Sequence, residues 1–327
     1  EFRKAPMARG GAALLLGAAA AVAASALTAV APSSAGGAGE EAPQLLGQPS
    51  DRPQGPIGHL LVPNRSYVFV THRKTGTNLM VRIAELTSQM AFGEIRSLWC
   101  LRVYKPEAGS VHPTCVLGVD GSKRVDAPMD STITAVFNIN GKEMKDFLDV
   151  VPNTRVVHMV RDPKRIAISD YQYEMFLHLP DTPDAMKWDT LLHGENFSNA
   201  SGIMRKIAKQ AHKEAEEIAS TNSVLAGDPR VLKIDLDSIA GNYDSFSARM
   251  YNHLFDNPPL HELDLLVTSA ASQDLSRWKQ EQFKQVAVTA ASRSISRREA
   301  EEAWEALRKA GDEDVLKVIS DSRNMGY

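Results

Sequence analysis

Four short apolar runs alternate with stretches of helical pattern, and this alternation constrains the fold more than any other feature of the chain. The runs lie near residues 67–71, 133–137, 155–160 and 231–235. Apolar residues recur at helical spacing in the segments between them, most clearly over residues 202–221. This alternation predicts an α/β fold, with a parallel sheet flanked by helices on both faces. In sheets of this kind, ligands bind at the carboxyl ends of the strands.

The first run ends in a segment with the composition of an anion-binding loop. Tyr67–Thr71 is followed by His72–Asn78, which reads His-Arg-Lys-Thr-Gly-Thr-Asn. The first amides of a helix have no intrahelical partners and lie at the positive end of its dipole, so phosphate or sulfate oxygens can accept hydrogen bonds from them. Gly76 lets the backbone approach closely, and Lys74 adds a positive charge. Further donors come from Thr75, Thr77 and Asn78.

This loop differs from the loop of nucleotide triphosphatases, because Lys74 precedes Gly76 instead of following it. A kinase of small molecules would need that loop and metal-binding carboxylates, and the sequence shows neither pattern. Taken alone, the segment is equally compatible with an ordinary basic turn between a strand and a helix.

A second segment favours the binding site over the ordinary turn. The apolar run Arg155–Val160 is followed by Arg161, and then by Asp162 and Pro163, which predict the N-cap and first residue of a helix. Ser169 then lies about two turns into that helix. Arg161 and Ser169 can therefore reach one ligand, and a guanidinium group suits a dianionic phosphate.

Together, the two segments resemble the two cofactor-binding motifs of sulfotransferases that use 3'-phosphoadenosine 5'-phosphosulfate (PAPS). The resemblance implies a P-loop-like sulfotransferase fold, with PAPS as cofactor and adenosine 3',5'-bisphosphate (PAP) as product. In this family the first loop holds the 5'-phosphosulfate, which implies that role for Lys74, Thr75, Gly76, Thr77 and Asn78, with Arg73 on the periphery. The arginine and serine of the second motif bind the 3'-phosphate and correspond to Arg161 and Ser169.

Two further similarities are weaker. Val231–Ile239 resembles the later strand and acidic turn of these enzymes. Trp278-Lys279 is similar to their carboxyl-terminal cofactor segment, but the Arg-Lys-Gly that accompanies it in the family is missing. Arg277 or Lys279 would have to substitute as the third contact to the 3'-phosphate.

The resemblance also implies a mechanism, in which an acceptor attacks sulfur in line and Lys74 stabilises the leaving oxygen. Cytosolic members carry a general-base histidine after a central strand, where this chain has Phe137–Asn140. Many Golgi-type members use a glutamate on the helix after the first loop, which makes Glu85 a candidate, although Arg82 is closer to the family spacing. His72 is a second candidate, because its imidazole titrates in the useful range, although a histidine at a strand end is more often a packed, hydrogen-bonded structural residue.

The sequence therefore predicts a PAPS-dependent sulfotransferase that modifies a hydroxyl or amine of a carbohydrate or small molecule. A noncatalytic nucleotide-binding protein on the same scaffold is the alternative, because the histidine and the carboxyl-terminal motif are altered. No metal is expected. The loop-rich region 105–130 is a candidate wall of the acceptor pocket.

Composition is compatible with one enzyme domain and with no nucleic-acid partner. The 327 residues carry a formal net charge of -3, without the basic excess of nucleic-acid-binding domains. Residues 1–50 predict a hydrophobic leader or signal anchor plus a flexible linker, because 10–39 is uncharged and rich in alanine. Residues 51–327 then form the sulfotransferase domain. Membrane contact is expected only through the amino-terminal segment, if it stays uncleaved.

The leader predicts the secretory pathway, including the Golgi membrane, with a plastid as the alternative. The two cysteines, Cys100 and Cys115, bear on this prediction because Golgi-type sulfotransferases often carry disulfide bridges. From the sequence, a bridge and two buried free thiols are equally compatible with the spacing.

Overall fold

A computed structural model describes residues 55–95, 97–100, 102–104, 114–117, 123–126, 133–177, 200–274, 277 and 297–327. The strands in chain order are β1 Ser66–Thr71, β2 Leu98–Cys100, β3 Arg102–Tyr104, β4 Thr114–Leu117, β5 Lys123–Asp126, β6 Ile133–Phe137, β7 Thr154–Val160 and β8 Val231–Asp235. The α-helices are α1 Thr77–Phe92, α2 Gly141–Val150, α3 Pro163–Leu177, α4 Ala200–Leu225, α5 Tyr243–Leu254, α6 Leu260–Ala270, α7 Arg297–Lys309 and α8 Glu313–Asn324.

Five strands form a parallel sheet in the order β2-β6-β1-β7-β8. Strand β1 lies at the centre, and its Val70 pairs with Val136 of β6 on one side and His158 of β7 on the other. All four apolar runs are strands of this sheet, which confirms the predicted parallel α/β architecture. The order also places the ends of β1 and β7 side by side.

Helices cover both faces of the sheet, because successive side chains of β1 point to opposite sides and both sides are apolar. Tyr67 and Phe69 belong to a core that includes residues of α1, α5 and α6. Val68 and Val70 belong to another, built with residues of α2. A third core joins α3 and α4 to α7 and α8 around the fully buried Trp304.

The region 105–130 contains more regular structure than the sequence analysis expected. Strands β4 and β5 lie within it and pair antiparallel, and β3 completes a three-stranded sheet in the order β3-β4-β5. The glycines and prolines that favour a loop assignment are spread among short strands, and antiparallel pairing of such strands is hard to detect from periodicity. Any contribution to an acceptor pocket from this region remains a prediction.

A disulfide answers the question that the cysteine spacing left open. Cys100 is disulfide-bonded, and Cys115 is the only other cysteine of the chain. Cys100 ends β2 of the parallel sheet, whereas Cys115 belongs to β4 of the antiparallel sheet. Two free thiols are therefore excluded, because Cys100 is already bonded.

Several expectations fall on residues that are not described. These are the leader and linker within 1–50 and the Trp278-Lys279 segment. The division into a leader and a domain that starts at residue 51 stays a prediction. Among the described helices, none is long and apolar enough to cross a bilayer.

Candidate functional site

The loop between β1 and α1 has the backbone of an anion-binding loop. Lys74 and Gly76 both have left-handed φ angles, of 59° and 98°. The first backbone hydrogen bond of α1 runs from Met80 N to Gly76 O at 3.0 Å, so the amides of the first turn face out of the helix without intrahelical acceptors. Alternation of left-handed and other residues turns successive amides toward a common concavity that suits an anion.

Gly76 is required here by sterics as well as by φ. A Cβ built at this position would lie 3.0 Å from Cδ1 of Leu236, just after β8. The positive φ adds strain for any residue with a side chain. Only glycine therefore fits the start of α1 without a shift of its neighbour.

The two threonine hydroxyls hold the loop together. Thr75 is buried, and its hydroxyl accepts from the amide of His72 at 2.8 Å and donates to the carbonyl of His72 at 2.9 Å. The Thr77 hydroxyl lies 3.2 Å from Thr71 Oγ1 and from the His72 carbonyl. Of the predicted side-chain donors, Asn78 is the exposed one. The loop shape is thus fixed from within by its own side chains.

Lys74 and Arg73 face a pair of acidic residues on α3. Arg73 donates to both carboxylate oxygens of Asp170 at 3.1 Å and to Glu174 at 2.8 Å, and both carboxylates are almost fully buried. Lys74 Nζ lies 3.7 Å from Asp170 Oδ1 and 3.2 Å above the ring centroid of Tyr173. The Arg73 guanidinium is therefore committed to an ion-pair network, whereas Lys74 makes a longer ionic contact and a cation–π contact.

Arg161 joins the second predicted motif to the first. It lies just after β7, and its Nη1 donates to the carbonyl of Lys74 at 3.0 Å, while its Nε lies 3.4 Å from Asp237 Oδ1. Burial lowers the pKa of Arg161, and the charge of Asp237 acts in the opposite direction. Ser169 is partly buried on α3, directly before Asp170. The structure thus brings the arginine of the second motif against the loop of the first.

The asparagines that replace the family's histidine segment have structural contacts. The side-chain carbonyl of Asn138 accepts from the amide of Arg73 at 3.1 Å, and the Asn138 amide donates to the Thr71 carbonyl at 2.9 Å. Asn140 caps α2 in a capping box with Glu143. Asn138 therefore holds the backbone of the anion loop.

His72, a predicted base, points into the protein. It is fully buried, and its Nε2 lies 3.0 Å from Nε2 of His158 in the neighbouring strand β7. Burial lowers the pKa of His72 to about 3. Burial also lowers the pKa of His158, and the nearby His72 and Lys233 add to that shift. At neutral pH both rings are uncharged, and their hydrogen bond uses one ring as donor and the other as acceptor.

Glu85, the other predicted base, lies further along α1. It follows Thr77 by eight residues, which places it about 12 Å from the start of the helix at the rise of an α-helix. It is half-buried; burial raises its pKa, and the charge of Arg82 opposes that shift. The role of Glu85, like that of His72, stays a prediction.

Three acidic residues around the loop had no place among the sequence predictions. Asp170 and Glu174 come from α3, and Glu214 comes from α4. Asp237 lies in the acidic turn after β8, which the sequence had singled out. Burial raises the pKa of Glu214 to about 7, and the charges of Arg73 and Asp170 also act on this carboxyl. One signal was available: Asp170 and Glu174 are four residues apart and share a helix face directly after the second motif. No local sequence pattern predicts that Glu214 of α4 lies near the loop.

Arg277, named as a substitute for the missing family arginine, is held elsewhere. It forms ion pairs with Asp244 at 2.6 Å and with Asp274 at 2.9 Å. The other substitute, Lys279, lies outside the described residues. A third contact to the 3'-phosphate therefore stays a prediction without a structural counterpart.

Comparisons with known proteins give a distant structural likeness. No protein-family model and no curated protein sequence matches this chain. A mouse sulfotransferase, SULT7A1, complexed with PAP is similar over 66% of this chain and 68% of its own, at 10% identity and a TM-score of 0.41. Retinol dehydratase in complex with androsterone and inactive cofactor PAP is similar over 79% of this chain and 83% of its own, at 12% identity and a TM-score of 0.42. At these values the likeness identifies neither a ligand nor an activity of this chain.

Proposed function

We propose that this chain is a sulfotransferase that moves a sulfuryl group from PAPS to a hydroxyl or amine of a carbohydrate or small-molecule acceptor. The observation that carries the proposal is the contact between the two motifs. Arg161 Nη1 donates to the carbonyl of Lys74, so a strand-end arginine and a lysine-bearing anion loop lie side by side at the carboxyl edge of the sheet.

The donor set fits a nucleotide with phosphate groups at two positions. The amides of Gly76 and Thr77 and the charge of Lys74 suit a 5'-phosphosulfate. The guanidinium of Arg161 and the hydroxyl of Ser169 suit a 3'-phosphate. PAPS would supply the sulfuryl group and a phosphate leaving group.

The chain's own contribution to transfer is positioning and electrostatics. Lys74 would leave the ring of Tyr173 to stabilise negative charge on the leaving oxygen, a movement that its flexible stem allows. The fixed loop, held by Asn138 and the two threonines, would keep the amides aimed at the same oxygens throughout. Asp170, 3.7 Å from Lys74 Nζ, would hold the ammonium group near the loop when no anion is bound.

The first test is ligand-dependent thermal stability of the full 327-residue chain. We expect PAP to raise the melting temperature more than AMP or ATP does, because only PAP offers both phosphate positions to the loop and to Arg161. The Lys74→Ala plus Arg161→Ala double variant should lose this response. A Lys145→Ala plus Arg297→Ala variant removes two exposed, ion-paired cations on other helices and should keep it.

Equal stabilisation by ATP, or an undiminished response of the Lys74/Arg161 variant, would contradict the PAP site.

The second test is turnover, measured with radiolabelled PAPS and a panel of carbohydrates, small alcohols and amines. Appearance of label in an acceptor fraction, lost in Lys74→Ala, is the expected result.

A noncatalytic PAP-binding protein on the same scaffold is the second candidate function. It is favoured by the state of His72, which is buried against His158 with a pKa of about 3 and so is a poor general base. Selective PAP binding without turnover of any acceptor class would support this candidate over the transferase.

Membrane attachment through the first 50 residues and a secretory or plastid location remain part of the proposal. They rest on the sequence of the leader alone. Fusion of residues 1–50 to a fluorescent reporter, followed by fractionation of cells, tests them separately from the enzyme.

A further inference from the structure

A largely buried polar cluster joins the anion loop to α4. One ligand-type atom from each of His72, Glu214 and Glu217 lies within 4.8 Å of the other two. Glu214 and Glu217 are three residues apart on α4, so they project from the same face of the helix. His72 comes from the loop itself, two residues before Lys74.

Each of two members of the cluster has one satisfied atom and one buried atom without a partner. His72 Nε2 is paired with His158, whereas His72 Nδ1 has no hydrogen-bond partner among the described residues. Glu214 Oε1 accepts from Gln210 at 2.8 Å, whereas its Oε2 is buried and unpartnered in the same part of the chain. Both side chains are more than nine-tenths buried. Buried polar atoms in native proteins almost always have partners, so these two point to a missing one.

The arrangement matches how proteins hold metal ions. A ligating imidazole uses one nitrogen for the metal and directs the other to a second residue that fixes its orientation, and ligating carboxylates are themselves hydrogen-bonded. His158 is the residue that orients the His72 ring, and Gln210 is the residue that hydrogen-bonds the Glu214 carboxyl group. Donation from His72 Nε2–H to His158 leaves a lone pair on His72 Nδ1, which is the form that binds a metal.

The charge around the cluster also favours a cation. Arg73 acts on Glu214 through its charge, but it is already paired with both Asp170 and Glu174. The carboxyl groups of Glu214 and Glu217 lie beside neutral imidazoles, and a bound cation would favour the ionised form of both. Buried carboxylates are costly unless they are paired or coordinate a metal.

From these observations we infer that His72, Glu214 and Glu217 form a binding site for a divalent transition-metal ion. The mixed nitrogen and oxygen ligands suit Zn²⁺ or Mn²⁺ better than Mg²⁺, which avoids imidazole. Ligand atoms around a tetrahedral zinc lie about 3.4 Å apart, so the side chains close in by about 1 Å when the ion binds. The ion then braces α4 against the loop that carries Lys74. This site does not depend on the proposed transferase function.

The test uses the full chain, purified without a polyhistidine tag, stripped with a chelator and dialysed. Zn²⁺, Mn²⁺ and Mg²⁺ are each titrated by calorimetry, and bound metal is counted by elemental analysis. We expect one Zn²⁺ or Mn²⁺ per chain and a higher melting temperature, with no comparable effect of Mg²⁺. Visible absorption of the Co²⁺ form, lost in His72→Ala, identifies the imidazole ligand.

Glu217→Gln is the main variant, because Glu217 is only half-buried and the change is isosteric. It should weaken metal binding by about tenfold or more, as should Glu214→Gln. The matched control is Glu216→Gln, an exposed position on the same helix that contacts His212 instead of the cluster. Absence of stoichiometric Zn²⁺ and Mn²⁺ binding, or equal binding by Glu217→Gln, Glu214→Gln and the control, would overturn the site. PAP binding is not used as a readout, so failure here leaves the proposed function standing.

Discussion

Strands β1 and β7 carry arginine clusters at both ends, and the two clusters differ in how their charges are satisfied. At the amino ends, Arg65 and Arg155 both pair with Asp256, whose side chain is 43% exposed. At the carboxyl ends, Arg73 pairs with Asp170 and Glu174, whose side chains are 2% and 0% exposed. We call Arg65, Arg155 and Asp256 the wet cluster, because Asp256 is exposed to solvent. We call Arg73, Asp170 and Glu174 the dry cluster, because both carboxylates are buried.

The difference separates a surface ion-pair network from a functional edge. Both arginines of the amino-end cluster share the exposed carboxylate of Asp256, and ion pairs at such exposed positions contribute little to stability. The carboxyl end combines buried charges with left-handed residues such as Lys74 and with amides that face outward. Buried charges and residues with positive φ both lie at the carboxyl edge of the sheet. Contacts elsewhere in the fold must offset their cost in free energy.

The largest expected effect comes from breaking the dry cluster with Arg73→Ala. Asp170 and Glu174 would lose the Arg73 guanidinium while staying buried, and Asp170 would keep only the 3.7 Å contact with Lys74 among the described residues, so we expect a loss of about 3–5 kcal/mol in the free energy of unfolding. Arg155→Ala at the wet end should cost less than about 1 kcal/mol, because Arg65 still pairs with the exposed Asp256. Urea unfolding of the three proteins measures both values. Equal losses at the two ends would remove the distinction between them.

The second effect tests the backbone of the dry end with Gly76→Ala. The substitution adds strain at φ 98° and a contact of 3.0 Å with Leu236, for a combined cost of about 2–4 kcal/mol in unfolding free energy. It should also abolish stabilisation by PAP, because the loop has to shift. Gly93→Ala, at the other end of α1, has φ 79° and no atom within 4 Å of the new Cβ, so it isolates the strain term at about 1–2 kcal/mol. Retained PAP stabilisation in Gly76→Ala would show that the loop does not hold the ligand.

The backbone of this site was predictable from sequence, whereas its charge partners were not. The strand run before Lys74 and the glycine two residues later are local patterns, and local patterns carry strand ends and helix starts. Arg73 meets Asp170 and Glu174 about a hundred residues away, through a pairing of strands that periodicity alone does not specify. For that reason Arg73 was expected at the edge of a ligand, and the structure shows it holding α3.

The histidine candidates illustrate the same limit. A histidine at a strand end next to a basic loop is a reasonable base by chemistry. Its neighbour in β7 decides the matter, because His158 pairs with it and the pocket excludes water. The position of His72 at a strand end already allowed a packed structural residue, but its partner His158 and the burial that lowers its pKa are properties of the assembled sheet.

A third, smaller effect comes from exchanging arginine for lysine at each end. Arg161 donates to the Lys74 carbonyl and meets Asp237 with two different nitrogens, and one ammonium group cannot keep both contacts. We expect Arg161→Lys to weaken PAP binding by about tenfold and unfolding free energy by about 1 kcal/mol. Arg155→Lys, at the exposed end, should change neither by a measurable amount. Calorimetric titration with PAP distinguishes the two variants, and identical affinities would argue against a phosphate contact by Arg161.

The smallest expected effect is the pH response of the wet cluster. Burial alone would raise the pKa of Asp256, but hydrogen bonds from Arg65 and Arg155 outweigh it and hold the pKa below its usual range. The unfolded chain therefore takes up a proton first as the pH falls. The stabilising contribution is fully present above the unfolded pKa of about 4 and is lost as the pH falls through the lower folded value.

Unfolding free energies of the wild type and Asp256→Asn, measured between about pH 6 and pH 3, test this sign. The wild-type advantage should shrink toward acid pH and amount to less than about 1 kcal/mol at neutral pH, because the carboxylate is well exposed. An advantage that grows toward acid pH would reverse the assigned shift. The wild-type advantage in unfolding free energy at neutral pH could also be as large as the cost of Arg73→Ala. The amino-end cluster would then be as shielded from solvent as the carboxyl-end cluster, and only the backbone of the loop would distinguish the two edges of the sheet.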